Sequence, residues 1–361
     1  MGEPLNVGIV GLGTISKQYF DTFATLDSVR ITAVADLDAE LTGRVAEGLG
    51  AAACTVPELV TRDDVDLVLN LTIPVAHRDV ALAAIAGGKG VYGEKPLALD
   101  TAQAREVLTA ADNAGVVVGC APDTVLGTGT QTARKAIDDG LIGRPIAASA
   151  TMLVPGHERW HPNPDFYYQP GGGPLLDMGP YYLSALITLL GPVAAVTGAA
   201  SRTRSTRTIG SGPRTGQSIP VATDTHITAI LTHESGALST VMMSFDVVAT
   251  RTANIEIHGE LGSLVVPDPN RFAGDVQLQT LESKEWEVLP VSAGYLNAGR
   301  GIGIADLAAT PDGEVPRAGG ALAFHVLDVM EAVLASSVSG AARTIGSTVA
   351  RPSAVPLQTM W

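Results

Sequence analysis

This sequence is short of cysteine, of aromatic residues and of positive charge, and each shortage excludes a class of protein. Two cysteines, Cys54 and Cys120, in 361 residues cannot build the disulfide framework of a small secreted fold, and they fit a reducing compartment. The 23 Lys and Arg stand against 37 Asp and Glu, a net charge of −14. The basic footprint of a nucleic-acid or anionic-membrane surface is therefore missing. No apolar run approaches the roughly 18 residues of a membrane span. The chain opens directly into "LNVGIVGLG", without the basic stretch, longer apolar core and cleavage site of a signal peptide, so a cytoplasmic protein is expected. With 46% hydrophobic and only 17% charged residues it can bury a large core, and its length predicts two domains. The expected partner is a small molecule, not nucleic acid or membrane.

What is present begins as an alternation of strand-like and helix-like segments. "NVGIVGLG" and "RITAVAD" are short, apolar, β-branched runs, and "TISKQYFDTFATL" between them has apolar residues near helical spacing, the βαβ pattern of a parallel sheet. "VDLVLNLT", "GVYGEK" and "VVVGCA" continue the strands, with helices "VAHRDVALAAIAGG" and "TAQAREVLTAADNAG" between them. From about residue 125 the pattern changes. Two helices, "GTQTARKAIDDG" and "LLDMGPYYLSALITLLG", precede a strand-rich region whose alternation and glycine turns predict a mostly antiparallel sheet. A late helix spans about 320–338. The fold class is therefore α/β, a doubly wound parallel sheet over residues 1–122 followed by an α+β domain on a large, mostly antiparallel open sheet over residues 123–361.

The strongest local motif is the string Gly11-Leu12-Gly13-Thr14-Ile15-Ser16 between the first strand and first helix. Glycines at 11 and 13 permit a tight turn and close backbone approach to a pyrophosphate, which would face the helix N-terminus beside Thr14 and Ile15. The third glycine of the GxGxxG pattern is replaced by Ser16, small enough for helix–sheet packing. Asp36 ends the second strand, where a carboxylate can accept hydrogen bonds from the ribose hydroxyls of NAD. Asp38 follows, and no arginine does, so NAD is favoured over NADP. Thr72, Ile73 and Pro74 end the "VDLVLNLT" strand at the carboxyl edge where ligands bind in open α/β sheets, and His77 opens the next helix.

With these elements in place, "VYGEKPLALD" becomes informative. Together with "VGIVGLGTIS", "AVAD", "LTIPVAH", "GGGPLLDMG" and the C-terminal "RAGGALAFHVLDVMEAVLAS", it resembles the Gfo/Idh/MocA family, over essentially the whole chain. The resemblance implies a Rossmann domain joined to a domain whose open sheet often builds oligomer contacts, hence a homodimer or homotetramer. It implies that Lys95 lies beside the nicotinamide and the reacting hydroxyl, with Glu94 near it and the following proline often cis. A cation there can hold the substrate hydroxyl and stabilise the alkoxide as hydride leaves its carbon.

The second segment carries a departure. Many relatives have a histidine four residues after the aspartate that matches Asp177, and here that position is Tyr181. Residues i and i+4 share a helix face, so Asp177 and Tyr181 can still point into one site. A tyrosine is a poor base at neutral pH unless a cation such as Lys95 lowers its pKa, and Lys95, Asp177 and Tyr181 together form the expected catalytic trio. The alternatives are that Asp177 or Lys95 handles the proton, with Tyr181 only positioning substrate, or that the site has lost redox activity.

Substrate contacts are expected from "PGHERWHPNPDFYYQPGGG", an aromatic-rich loop suited to sugar C–H faces, with Trp160 and His161 as candidates and Asp123 a further one. His157 and His161 are four apart, but the surrounding prolines make a zinc-binding helix improbable, and no metal is expected. "SRTRSTR" at 201–207 reads as a solvated sheet edge. The function expected is an NAD-dependent oxidoreductase acting on a secondary hydroxyl of a sugar, glycoside or cyclitol. The rivals are a redox-neutral glycosidase working through a transient keto-sugar and a non-catalytic dinucleotide-dependent sensor.

Overall fold

The computed structural model describes residues 3–311 and 314–359. The described residues divide into two compact units, one of residues 3–127, 294–311, 314–324 and 355–359, the other of residues 128–293 and 325–354. The expected boundary at 122/123 lies five residues before the first of these segments ends, and the chain then returns to the first unit twice.

In the first unit, β1 (Leu5–Val10), α1 (Ser16–Phe23), β2 (Val29–Ala35), α2 (Ala39–Leu49), β3 (Ala52–Cys54) and α3 (Val56–Val60) form one half. The other half is β4 (Leu67–Asn70), α4 (Pro74–Ala86), β5 (Gly90–Gly93), α5 (Thr101–Ala114) and β6 (Val118–Cys120). All six strands are parallel, in the order β3-β2-β1-β4-β5-β6, so the order reverses between β1 and β4. In a parallel sheet of this order, crossovers follow the right-handed rule and cover both faces with helices, in keeping with β4 being buried at every position. The helices start and stop where the chemistry allows. Asp38 accepts from the Leu41 amide at the head of α2, Thr55 and Glu58 form a reciprocal cap on α3, and Asp100 accepts from the Gln103 amide at α5.

The second unit begins with α6 (Thr128–Asp138), β7 (Pro145–Leu153) and α7 (Pro174–Leu190), followed by β8 (Val193–Ser201). Then come the short β9 (Thr206–Thr208) and β10 (Ser218–Pro220), and the long hairpin β11 (His226–His233) and β12 (Leu238–Ser244). The series continues through β13 (Ile255–Gly259), β14 (Gly262–Val266), β15 (Gln277–Thr280) and β16 (Glu287–Val288). Helix α8 (Ile302–Ala308) belongs to the first unit, α9 (Gly320–Ser339) follows, and β17 (Arg343–Thr344) closes the series. Nine strands form one sheet in the order β16-β15-β14-β13-β7-β12-β11-β8-β17, antiparallel except for the β7–β12 pair. Helix α7 packs across β7, β11 and β12, and β11 alternates buried and exposed side chains accordingly. Helix α9 is long and apolar enough to cross a membrane by length and composition, with 56% of its most apolar window buried in the protein. A core helix passes the same test.

Candidate active site

The cofactor side is built by the strand ends of the first unit. Gly11 has φ +96°, and a Cβ there would lie 2.7 Å from the Leu71 carbonyl carbon and 2.9 Å from the Thr72 nitrogen. Only glycine lets β1 leave the sheet so close to the end of β4. Gly13 is different, since a Cβ on it meets no atom within 4 Å. Packing within the protein does not require glycine at 13, and the space leaves room for a pyrophosphate to approach the head of α1. Ser16, in place of the third glycine, is buried and donates its hydroxyl to the Gly13 carbonyl at 2.8 Å, fixing the loop on which the exposed Thr14 and half-buried Ile15 sit.

Asp36, at the end of β2, ties into the same loop, accepting from the Leu12 amide at 2.7 Å and from the Asp38 amide at 3.0 Å. Beside it Leu37 is fully exposed, and Ile73 and Val75 are exposed where β4 passes into α4. Large apolar side chains at the carboxyl edge of a parallel sheet suit a ring-bearing ligand. The glycine loop, Asp36 and this edge fit a bound NAD.

The turn after β4 is organised by Asn70, 1% exposed, whose Oδ1 accepts from the Thr72 amide and hydroxyl at 3.2 and 2.6 Å while its Nδ2 donates to the His77 carbonyl. His77 is itself buried, with Nδ1 2.7 Å from the Pro96 carbonyl and Nε2 3.0 Å from the Thr72 carbonyl. It therefore joins the Thr72–Pro74 loop to the loop that carries Lys95. Glu94 secures that second loop from below. Its carboxylate accepts from the Tyr19 hydroxyl at 2.7 Å and from the Lys95 amide at 3.2 Å, and burial together with the Glu94 charge pushes the Tyr19 phenol well up. Lys95 is half-buried, and the Lys95–Pro96 peptide is cis.

Asp123 does not meet its expected role. It is fully buried in the first unit, and its Oδ2 accepts from the Gly301 and Gly303 amides at 2.7 and 3.1 Å, so a cleft-facing substrate carboxylate is corrected to an internal brace. Burial pushes its pKa up to about 6, against the opposing pull of Arg300 and the two amides.

In the second unit, Asp177 lies in the first turn of α7 and Tyr181 one turn on, the latter 5% exposed. Pro180 is carried inside the helix. The imidazole beside Asp177 comes from the loop. His157 Nε2 is 3.1 Å from Asp177 Oδ2, and the Trp160 indole nitrogen is 3.3 Å from His157 Nδ1. An indole N–H only donates, so Nδ1 accepts, and the neutral ring's proton sits on Nε2 facing the carboxylate. His157 lies among Trp160, Tyr167 and Phe245, with ring centroids 5.2, 4.7 and 4.4 Å away. His161 stacks edge-on against Trp160, Phe166 and Tyr167, and burial holds its pKa below the usual imidazole value. Trp160 and Phe166 remain more than half exposed above the fully buried Tyr168, so the loop is partly core and partly open aromatic surface.

Residues 5–121 match the oxidoreductase family with an NAD-binding Rossmann fold, GFO/IDH/MocA, and residues 130–265 match the GFO/IDH/MocA C-terminal domain. The chain belongs to the GFO/IDH/MocA family. Among curated relatives, 1,5-anhydro-D-fructose reductase of Ensifer adhaerens is 35% identical over 47% of this chain, which spans about half (52%) of that protein. A dTDP-3,4-didehydro-2,6-dideoxy-α-D-glucose 3-reductase of Actinomadura kijaniata is 27% identical over 87% of this chain and 90% of its own. The crystal structure of an NAD binding oxidoreductase from Klebsiella pneumoniae is 26% identical, with a TM-score of 0.80 over 95% of this chain and 99% of that one.

Three residues of this GFO/IDH/MocA chain escape motif reading. Asn70 leaves a trace, a lone amide ending an otherwise apolar strand. Tyr19 leaves none beyond its place on the buried face of α1. His157 is visible only as one histidine of an aromatic loop, because its separation of 20 positions from Asp177 hides their pairing.

Proposed function

We propose that this protein is an NAD-dependent dehydrogenase acting on a secondary hydroxyl of a sugar, glycoside or cyclitol. One observation carries the proposal: Lys95 stands on a loop braced by Glu94–Tyr19 and by His77–Pro96, at the carboxyl edge of a sheet whose glycine loop suits NAD. The relatives named as an anhydrofructose reductase, a dTDP-sugar 3-reductase and inositol 2-dehydrogenases support the substrate class. NAD, when bound, accepts the hydride. Gly11, Gly13, Thr14, Ile15, Asp36, Thr72, Ile73 and Pro74 would hold it, and Leu37 would add an apolar contact. The Lys95 ammonium binds the substrate oxygen and stabilises its negative charge as the C–H bond breaks.

Asp177 takes the hydroxyl proton, His157 holds that carboxylate in orientation through Nε2–H, and Tyr181 arranges substrate from one turn further along α7. Trp160 and His161 meet the sugar face. The unpaired cysteines support a reducing cytoplasm. The half-exposed apolar Ile230 and Leu238 on the open face of the large sheet support a homo-oligomer.

Incubation with NAD and a panel of sugars, cyclitols and glycosides tests the proposal by NADH absorbance and product mass. NADH should accumulate with a product two mass units lighter. Lys95→Ala should lower kcat about 10²-fold or more while NAD binding persists. Aglycone release without NADH, or silence across the panel, overturns it. His157→Gln should lower kcat about 10-fold or more and displace the acid limb of the kcat/KM profile, which reports the base in the free enzyme. An unchanged pH profile would remove His157 from the mechanism.

A further inference from the structure

The arginine-rich stretch 201–207 has no part in the proposed reaction, and its residues do not share one fate. Arg202 donates to the Val221 carbonyl at 3.0 Å, and Arg207 turns inward, 3% exposed. Arg207 donates to Glu158 Oε1 at 3.1 Å, to the Phe245 carbonyl at 3.1 Å and to Asp246. Arg204 does neither. Together with Arg159 it lines an open cavity of about 380 Å³, the remaining wall being Glu158, Thr206, Arg207, Thr208 and Gly210. Among the described residues neither Arg159 nor Arg204 has a carboxylate partner.

The cavity is constructed by specific contacts. A Cβ on Gly210 would lie 2.8 Å from the Arg159 carbonyl oxygen, and the Gly210 amide donates to the Glu158 carbonyl at 2.7 Å. Glycine at 210 thus lets the end of β9 close directly on the short turn His157–Arg159 and sets Arg159 at the wall. On β9 the pattern exposed-buried-exposed presents the Thr206 and Thr208 hydroxyls outward on either side of Arg207. The one acid in the wall, Glu158, is 4% exposed and engaged inward by Arg207 and the Tyr168 hydroxyl. Arg207 is shared between the Glu158 and Asp246 carboxylates, so with the exposed Arg159 and Arg204 the group as a whole carries a net positive charge of one, presented outward by guanidiniums that no carboxylate engages among the described residues. The buried Arg207 Nε, in the same wall, has no hydrogen-bond partner.

We infer that this cavity binds a phosphoryl group carried on a small organic body, such as a sugar phosphate. Two guanidinium groups and two hydroxyls match the donor demand of a tetrahedral oxyanion, and planar guanidinium grips it bidentately. The volume exceeds what inorganic phosphate fills and lies in the range of small-molecule sites. In a chain of net charge −14, anions are repelled elsewhere, which makes a local pair of free arginines selective.

Calorimetric titration of the full chain with inorganic phosphate, glucose 1-phosphate and glucose tests the inference at two salt concentrations. Because it reads binding without turnover, its failure is separate from failure of the dehydrogenase proposal. Saturable binding of glucose 1-phosphate that excess glucose does not displace is expected, weakening as salt rises. Arg159→Gln and Arg204→Gln should each weaken it about 10-fold, with unfolding temperature unchanged because both side chains are exposed. Glucose 1-phosphate tighter than phosphate supports a ligand with an organic body. Equal affinities that both fall in the variants keep the oxyanion site but overturn the organic body. No saturable heat from either, or binding unaffected in the double variant, overturns the site.

Discussion

Asp123 shows how a single buried carboxyl can write a pH dependence into stability. Its pKa is about 6 in the folded protein, against about 3.9 for an unfolded chain. Between those values the folded state holds more protons than the unfolded one, so stability falls as pH rises from about 4 to 6, and the loss is complete above 6. Two pH units correspond to about 3 kcal/mol. Asp123→Asn keeps an acceptor for the Gly301 and Gly303 amides and removes the titration. Its stability relative to the parent should therefore rise by about 3 kcal/mol between pH 4 and pH 7, whatever constant offset the new amide introduces. Urea unfolding of both proteins across that range measures the difference, and a flat difference would dismiss the argument. Motif reading places Asp123 in a cleft because it follows a strand; the residues that receive its carboxylate lie 178 and 180 positions away.

At the scale of elements, the aromatic loop is held by charge as much as by rings. Arg207 on β9 is buried between Glu158 of the loop and Asp246 beyond β12, while Thr225 donates to the same aspartate at 2.6 Å. Its guanidinium also lies 5.3 Å from the Tyr168 ring centroid. Removing the cation leaves the buried Glu158 and the partly buried Asp246 without their shared counter-charge, and breaking such a pair costs about 3–5 kcal/mol. Arg207→Met, which retains much of the apolar volume, should lower stability by that amount, and Glu158→Gln/Asp246→Asn added to it should recover part of the loss. A thermal or urea double-mutant cycle reads the coupling, and strict additivity would deny the network. The loop's aromatic content is legible in the sequence. Its clamp is not, because "SRTRSTR" looks like a solvated edge until β9 is seen to alternate, turning Arg207 inward and its neighbours out.

For the whole molecule, legibility follows the range of the interactions that decide each feature. The Rossmann half is readable because its glycine turn, helix caps and buried strands are local, and the loop glycines and Asp36 come together within 26 positions. The strand β7 is not, since "PIAASATML" has little β-branched signal and becomes a central strand only by pairing with β12 and β13. The return of residues 294–324 to the first unit is equally hidden, being fixed by long-range contacts such as Gly301 on Asp123 and Arg105 over the Phe324 ring at 4.8 Å. Cofactor preference is a whole-molecule observable, because a ligand that binds only the folded state stabilises it by mass action, about 2.7 kcal/mol at one hundred times its Kd. Asp36 and Asp38 place two carboxylates at the end of β2, and a 2′-phosphate brought there meets like charge. Thermal unfolding should therefore shift upward more with NAD than with the same concentration of NADP, and the gap should narrow at high salt, which screens the repulsion. Asp36→Ser should narrow it further by weakening NAD and relieving NADP together. A larger shift with NADP on the parent protein would reverse the assignment and require a cation near β2 that this sequence does not supply after Asp36 until Arg44.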